Sequence, residues 1–211
     1  MRAVRWFIAL VIFAGICCRF PLFHVVTIKS ATAEKVAATF NATSFAETFW
    51  TNLLLASASG KTVRTEILLP AIQADPAGAK KKFARSLGLS ENYFYFVSGS
   101  GRIMAVSDDF VSLAVTGGST NAEISLQTGL IFGDAVRDGT GLLNASDYPN
   151  SQDFNDISAA LNHLVEARVL PKLRDQAKVG TNISFVGCAE VDDESIDLKP
   201  LKVIPIQTEV Q

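Results

Sequence analysis

The stretch Glu123–Asp138, EISLQTGLIFGDAVRD, constrains the fold more than any other. Ile124, Leu126, Leu130 and Phe132 alternate with Glu123, Ser125, Gln127, Gly129 and Gly133, the period-two pattern of a strand with one buried face. The alternation stops at a charged pair, Arg137-Asp138. A half-buried strand needs neighbours and a cover, and the flanking sequence offers both.

Upstream, Tyr93-Phe94-Tyr95-Phe96-Val97 is aromatic and β-favouring, and Ile103-Met104-Ala105-Val106 follows across Ser98-Gly99-Ser100-Gly101. Phe110–Thr116 is the next alternating run, closed by the turn cluster Gly117–Asn121. Neither Gly99-x-Gly101 nor Gly117-Gly118 leads from a strand into a helix, so both are read as hairpin glycines and not as phosphate loops. Downstream, a polar loop to Gln152 feeds a helix capped by Asp153, with Phe154, Ile157, Leu161, Leu164 and Val165 as its buried stripe and Asn162 and His163 flanking it. Pro171 should end that helix near Leu170. Two more strands, Val179–Cys188 and Leu198–Val210, complete the chain, and Pro200 and Pro205 place the last one at an edge or with bulges. Strand, strand, strand, helix, strand, strand is the order of an oligonucleotide- or oligosaccharide-binding (OB) barrel, with the helix plugging one end. The expected class is therefore α+β, an N-terminal apolar helix and a short helical cap before a five-stranded antiparallel OB-like barrel.

The cap spans residues 40–88. Ser44-Phe45-Ala46-Glu47 is a capping-box signature, and Phe45, Phe49, Trp50, Leu53 and Leu54 make one apolar stripe until Ser57-Ala58-Ser59-Gly60. A second helix is expected over Val63–Ala74 and a third over Pro76–Leu87, ended by Gly88.

The first 28 residues set the compartment. Arg2 and Arg5 precede thirteen uncharged residues, Trp6–Cys18, which fits a secretory signal. Counted through Arg19 to Ile28, the same segment reads as a short uncleaved membrane anchor. Both export residues 29–211 as one domain, the part from 89 on being the β-rich one, because the positive charge before the apolar run keeps the N-terminus on the cytoplasmic side. Cys17 and Cys18 offer a third tether, lipid, although a bacterial lipoprotein wants a small residue before the modified Cys and Gly15 lies too early.

Nineteen Lys plus Arg against twenty-one Asp plus Glu leave no basic footprint for nucleic acid. Lys80-Lys81-Lys82 reads as a solvated helix face. Three cysteines, two of them in the leader, form no disulfide framework, and with two lone histidines the chain has almost no ligands for zinc. No metal and no cofactor is expected.

Four blocks carry a family resemblance: Phe40-Asn41 ahead of the Trp50 helix, GLIFGDAVRD at Gly129–Asp138, QDFNDISAALN at Gln152–Asn162 and VGTNISFVG at Val179–Gly187. The sequence resembles a bacterial family of predicted periplasmic lipoproteins, a domain of unknown function often encoded beside sugar ABC-transporter genes. The resemblance implies an address, the periplasmic side of the inner membrane, and a neighbourhood, and no catalytic residues.

Three functions follow from these readings. The first is a non-enzymatic, membrane-tethered accessory protein touching a sugar ABC-transporter component or a carbohydrate. Gly129 and Gly133 would allow close backbone approach, Arg137, Asp138, Gln152 and Asn162 would supply polar contacts, and Trp50 or Phe154 an aromatic platform. The plainer reading of Arg137-Asp138 is a structural pair that ties its loop down. The second is a carbohydrate-acting hydrolase built on Asp108-Asp109, Asp134 or Asp192-Asp193-Glu194, acids more often found solvated in turns. The third is an envelope scaffold. The chain is not expected to be an enzyme.

Overall fold

A fourteen-residue strand, β2 (Tyr93–Val106), forms the spine of the molecule. The computed structural model describes residues 40–86, 92–115, 117, 119–148 and 150–211. The leader, with Cys17, Cys18 and the boundary at residue 28, therefore lies outside the described residues, as do Leu87, Gly88 and Gly118. Antiparallel pairing joins β2 to β3 (Phe110–Ala114) on one side and to β5 (Asn182–Val191) on the other. With β4 (Ile124–Gln127) and β6 (Leu201–Val210) the order is β2-β3-β4-β6-β5, and the β2–β5 pairing returns to the start, so the barrel is closed.

The described sheet has six strands, against five expected, because Val63–Arg64 forms a short β1 on the outer edge of β2 where a helix was anticipated. Arg64 is extended at φ −71°, ψ 136°, and the helix begins only after it. The sheet is not purely antiparallel: β1 runs parallel to β2, and β4 parallel to β6. The second pairing follows from the long crossover between those strands, which returns the chain in the same direction.

The hairpin expected at Ser98–Gly101 is absent, since β2 runs straight through it. The glycines serve close approach: a β-carbon on Gly99 would collide with the Thr65 side chain, and one on Gly101 would lie 2.7 Å from the Ala114 carbonyl oxygen. Pro205 sits where the β5–β6 register shifts by a bulge, in a strand paired on both sides and not at an edge.

Alternation along β2 sorts its aromatics into two cores. Tyr93, Tyr95 and Val97 point inward with Val111, Leu113, Ile124, Leu126, Ile183, Phe185, Leu201 and Val203. Leu68, Leu69 and Ile72 from α3 (Thr65–Ala74) join them. Phe94 and Phe96 point outward into a second core with Cys188, Ile204 and Ile206, Cys188 thus lying opposite Ile183 and Phe185. Helices cover this outer face. The first runs from α1 (Ala42–Phe49) through a π-helical turn, Trp50–Leu54, into α2 (Leu55–Lys61). The other is α6 (Ser151–Arg168), which contributes Phe154, Ile157, Leu161 and Val165. The long helix thus packs outside the barrel and does not plug it. The interior instead takes Leu173 from α7 (Leu170–Gln176), which Pro171 opens. Each fully buried leucine, such as Leu161, stabilises the layer by roughly 1.5–3 kcal/mol.

Caps differ from expectation by a few residues. Asn41 caps α1, accepting from Ser44 N at 2.9 Å, and Glu47 instead bridges to Arg168 of α6. The first helix continues past Ser57–Gly60 to Lys61, and α4 (Pro76–Phe83) stops short of Leu87. Asn150 caps α6 by accepting from Asp153 N at 2.8 Å, while its amide donates to Asp153 Oδ2 at 2.8 Å.

Candidate functional site

β4 ends at Gln127, where the chain leaves the sheet instead of alternating on to Phe132. Ile131 then turns inward, and Leu130 and Phe132 are 69% and 74% exposed, the reverse of the faces expected from the alternation. Long-range hydrogen bonds impose this path. Thr128 N and Gly129 N donate to the Asp109 carbonyl at 2.6 and 3.1 Å. The Arg174 guanidinium donates to the Thr128 carbonyl, with Nε at 2.9 Å. Gln127 Nε2 donates to the Leu130 carbonyl at 2.6 Å, and Ile131 N to Glu166 Oε1 at 3.0 Å. Ser158 Oγ and Asn162 Nδ2 both donate to the Gly133 carbonyl, at 3.0 and 2.9 Å.

Past Gly133, whose φ of +80° suits a residue without a β-carbon, the chain enters α5 (Ala135–Gly139). Arg137 and Asp138 lie on this short helix, not at a strand end, and each is only 5% exposed. Nε and Nη2 of Arg137 grip Asp138 in a bidentate fork at 2.6 and 2.8 Å. Nη1 donates to the Phe154 carbonyl at 3.1 Å and approaches Asn155 Oδ1 at 3.4 Å, while Nη2 pairs with Asp134 Oδ2 at 3.2 Å. The Phe154 ring stacks 3.8 Å from the guanidinium carbon. All three nitrogens are engaged, so the pair locks α5 to α6, the structural role that was the plainer reading.

The residues proposed for binding therefore divide. Gly129, Gly133, Arg137, Asp138, Asn162 and Phe154 come together, but as the inner frame of the loop. Trp50 and Phe154 are buried in the outer core, 4% and 8% exposed, so neither offers a ring face to a sugar. Gln152 is exposed and donates to Asp156 Oδ1 at 2.7 Å, one turn along its own helix. Asn162 is not at the edge of the α6 stripe but within it, at the helical repeat of Phe154 and Ser158.

Ser158, Glu166 and Arg174 were not foreseen, and Asp134, expected as a hydrolase carboxylate, pairs with Arg137 instead. Only Ser158 had a readable signal, since residues 154, 158 and 162 recur at four along one face. Glu190 also faces this frame: a β-carbon on Gly133 would lie 3.2 Å from its Oε2. Burial pushes the Glu190 carboxyl up, Asn92 opposes the shift by donating to Oε1 at 3.1 Å, and the charges of Asp134, Asp138 and Asp192 reinforce it.

Two of the other acids have structural duties: Asp193 caps α8 (Glu194–Asp197) by accepting from Ser195 N, and Glu194 accepts from the Tyr93 hydroxyl at 3.0 Å. At Asp109 it is the backbone carbonyl, not the carboxylate, that anchors Thr128 and Gly129. Among the described residues no group of three or more His, Cys, Asp or Glu is placed to hold a metal ion. No helix among them is long and apolar enough to cross a membrane.

A closed barrel with this strand order, a helical segment between its third and fourth strands and a second core outside it defines an OB-fold protein with an outer helical layer. The chain is similar to a crystal structure of an OB-fold protein from Thermotoga maritima, with a TM-score of 0.73 and 26% identity, over 82% of this chain and 100% of that one. It belongs to the family of predicted periplasmic lipoproteins DUF2291, whose model matches residues 6–209. No curated protein matches it. The family assignment agrees with the resemblance read from the four sequence blocks and makes this an exported, periplasmic domain.

Proposed function

We propose that the chain is a non-enzymatic, membrane-tethered accessory protein of the periplasm that docks a protein component of a sugar ABC uptake system on its Gly129–Gly133 loop. The tether is the N-terminal apolar segment or lipid on Cys17 or Cys18. One observation carries the reading: Leu130 and Phe132 are 69% and 74% exposed on a backbone held by hydrogen bonds from three separate elements, the turn at Asp109, α6 and α7. Two large apolar side chains in water are unfavourable by themselves, and a loop ordered in advance loses little freedom on binding. Burial of Trp50 and Phe154 takes both expected sugar platforms out of reach, and the exposed Phe132 ring stands beside Leu130 while Ser158 and Asn162 spend their polar groups on the Gly133 carbonyl, which favours a protein over a carbohydrate as the occupant. The engagement of the Asp193 and Glu194 carboxylates in a helix cap and a tyrosine hydrogen bond, and of Asp134 in the Arg137 frame, supports a binding role over hydrolysis.

The test is a pull-down from native membranes with the full chain and with Leu130→Ser/Phe132→Ser. A transporter component should be recovered with the natural chain and fall about tenfold or more with the double variant, as for exposed apolar anchors of an interface. Equal recovery with both removes the loop from the reading.

A further inference from the structure

A second surface lies on the helical cap. Here α2 ends, β1 begins, and α3 and α4 converge around a cavity of about 440 Å³. Lys61, Arg64, Lys82 and Arg85 line it, with Ile67 and Phe83 among its apolar walls. None of the described residues that line it is acidic, and none of the four cations is in an ion pair among the described residues. The chain as a whole has a net charge of −2, so four unpaired positive charges in one groove are a local concentration against the average.

We propose that this groove binds a ligand bearing a phosphoryl group. Four like charges around one concavity repel one another, and a bound polyanion relieves that repulsion. Two of them are guanidinium forks, whose planar donor geometry matches phosphate oxygens. Both arginines have fixed backbones. Arg64 is in register with Ser98 of β2, and Arg85 exchanges two backbone hydrogen bonds with Phe94, at 2.9 and 2.8 Å.

The Arg85 side chain also passes Gly141, whose φ of +61° and missing β-carbon let the loop come against the guanidinium. Arg64 is the N-cap of α3 and makes no side-chain cap bond, so first-turn amides of that ten-residue helix add positive potential beside the groove. Glu66, the acid in the same turn, is exposed and does not line the cavity. The apolar walls at Ile67 and Phe83 suit the body of a phosphate ester, and the volume suits a small ligand, not a protein segment. The phosphoryl group has two sources in this compartment, a soluble phosphate ester or the headgroup of an anionic phospholipid, and their shared chemistry is what the groove recognises.

The experiment uses the full chain in detergent for titration calorimetry with inorganic phosphate and glycerol 3-phosphate. It is repeated by co-sedimentation with phosphatidylglycerol vesicles against phosphatidylcholine vesicles. Both arms are run on the natural chain and on Arg64→Gln/Arg85→Gln, whose exposed side chains leave the thermal midpoint unchanged. Binding of the soluble probes that weakens about tenfold or more in the double variant, and falls with added salt, supports the proposal with a soluble ligand. A preference for phosphatidylglycerol that the double variant loses, without binding of the soluble probes, supports it with a headgroup. Binding in neither arm, or equal binding by natural chain and variant, overturns it. None of these outcomes depends on Leu130 or Phe132, so the docking proposal stands or falls separately.

Discussion

Around Arg137 every guanidinium nitrogen has an acceptor, the side chain is 5% exposed, and Asp138, Asp134 and the Phe154 carbonyl surround it. Around Arg64 and Arg85 the same group is exposed and, among the described residues, has no carboxylate partner. The difference separates the two uses of arginine in one chain. A buried guanidinium with a full set of acceptors is a fastener, and its removal leaves Asp138 charged and buried. An exposed guanidinium without acceptors does little for the fold and is left with donors for something else. The clamped loop repeats the contrast on a smaller scale: hydrogen bonds hold its backbone at Gly129, Leu130, Ile131 and Gly133, while the Leu130 and Phe132 side chains are largely exposed.

The largest expected effect follows directly. Arg137→Ala should lower stability in urea titrations by about 3–5 kcal/mol, the cost of stranding a buried charge. Arg64→Gln/Arg85→Gln should stay within about 0.5 kcal/mol of the natural chain in the same assay. Equal losses at the two places would end the distinction between fastener and free donor. Next in size is Gly133→Ala. A β-carbon there is strained at φ +80° and lies 3.2 Å from Glu190 Oε2, so the loss should be about 1–2 kcal/mol. A neutral result would mean the loop relaxes easily, and the argument that it is ordered in advance for docking would weaken with it.

The barrel was legible because alternation is a local signal. Tyr93 and Tyr95 against Phe94 and Phe96, or Ile183 and Phe185 against Cys188, sort to opposite faces by parity alone. What failed depended on partners distant in sequence. Gly99 reads as a turn until Thr65 is seen to occupy the space of its β-carbon. Leu130 and Phe132 continue the period of Ile124 and Leu126, and it takes the Asp109 carbonyl upstream and Ser158, Asn162, Glu166 and Arg174 of the helices that follow to pull the chain out of that register. The long helix was expected, from the order of the elements, to plug one end of the barrel; its apolar stripe says that it is buried and not against which face. The site was legible as an address: Arg137, Asp138, Asn162 and the two glycines do assemble. Their orientation was not, since a polar stripe at residues 158 and 162 reads the same whether it faces a ligand or the Gly133 carbonyl. Lys82 belongs to a run that looks like a solvated face, and only the fold brings Lys61, Arg64 and Arg85 beside it.

The smallest effect tests the electrostatics of the fastened side. Glu190 is half-buried beside Asp134 and Asp138, and burial raises its carboxyl above the ordinary value of 4.5. The folded chain therefore holds the proton more tightly than the unfolded one. That contribution to stability is fully present below the ordinary value and is lost as pH rises through the raised one, so at neutral pH the charged Glu190 works against the fold. Glu190→Gln keeps an oxygen to accept from Asn92 and cannot ionise. Its thermal midpoint should exceed that of the natural chain at pH 7, and the two should converge below about pH 4, where both side chains are neutral. Parallel curves across the whole range would mean that Glu190 is better solvated than its place opposite Gly133 implies.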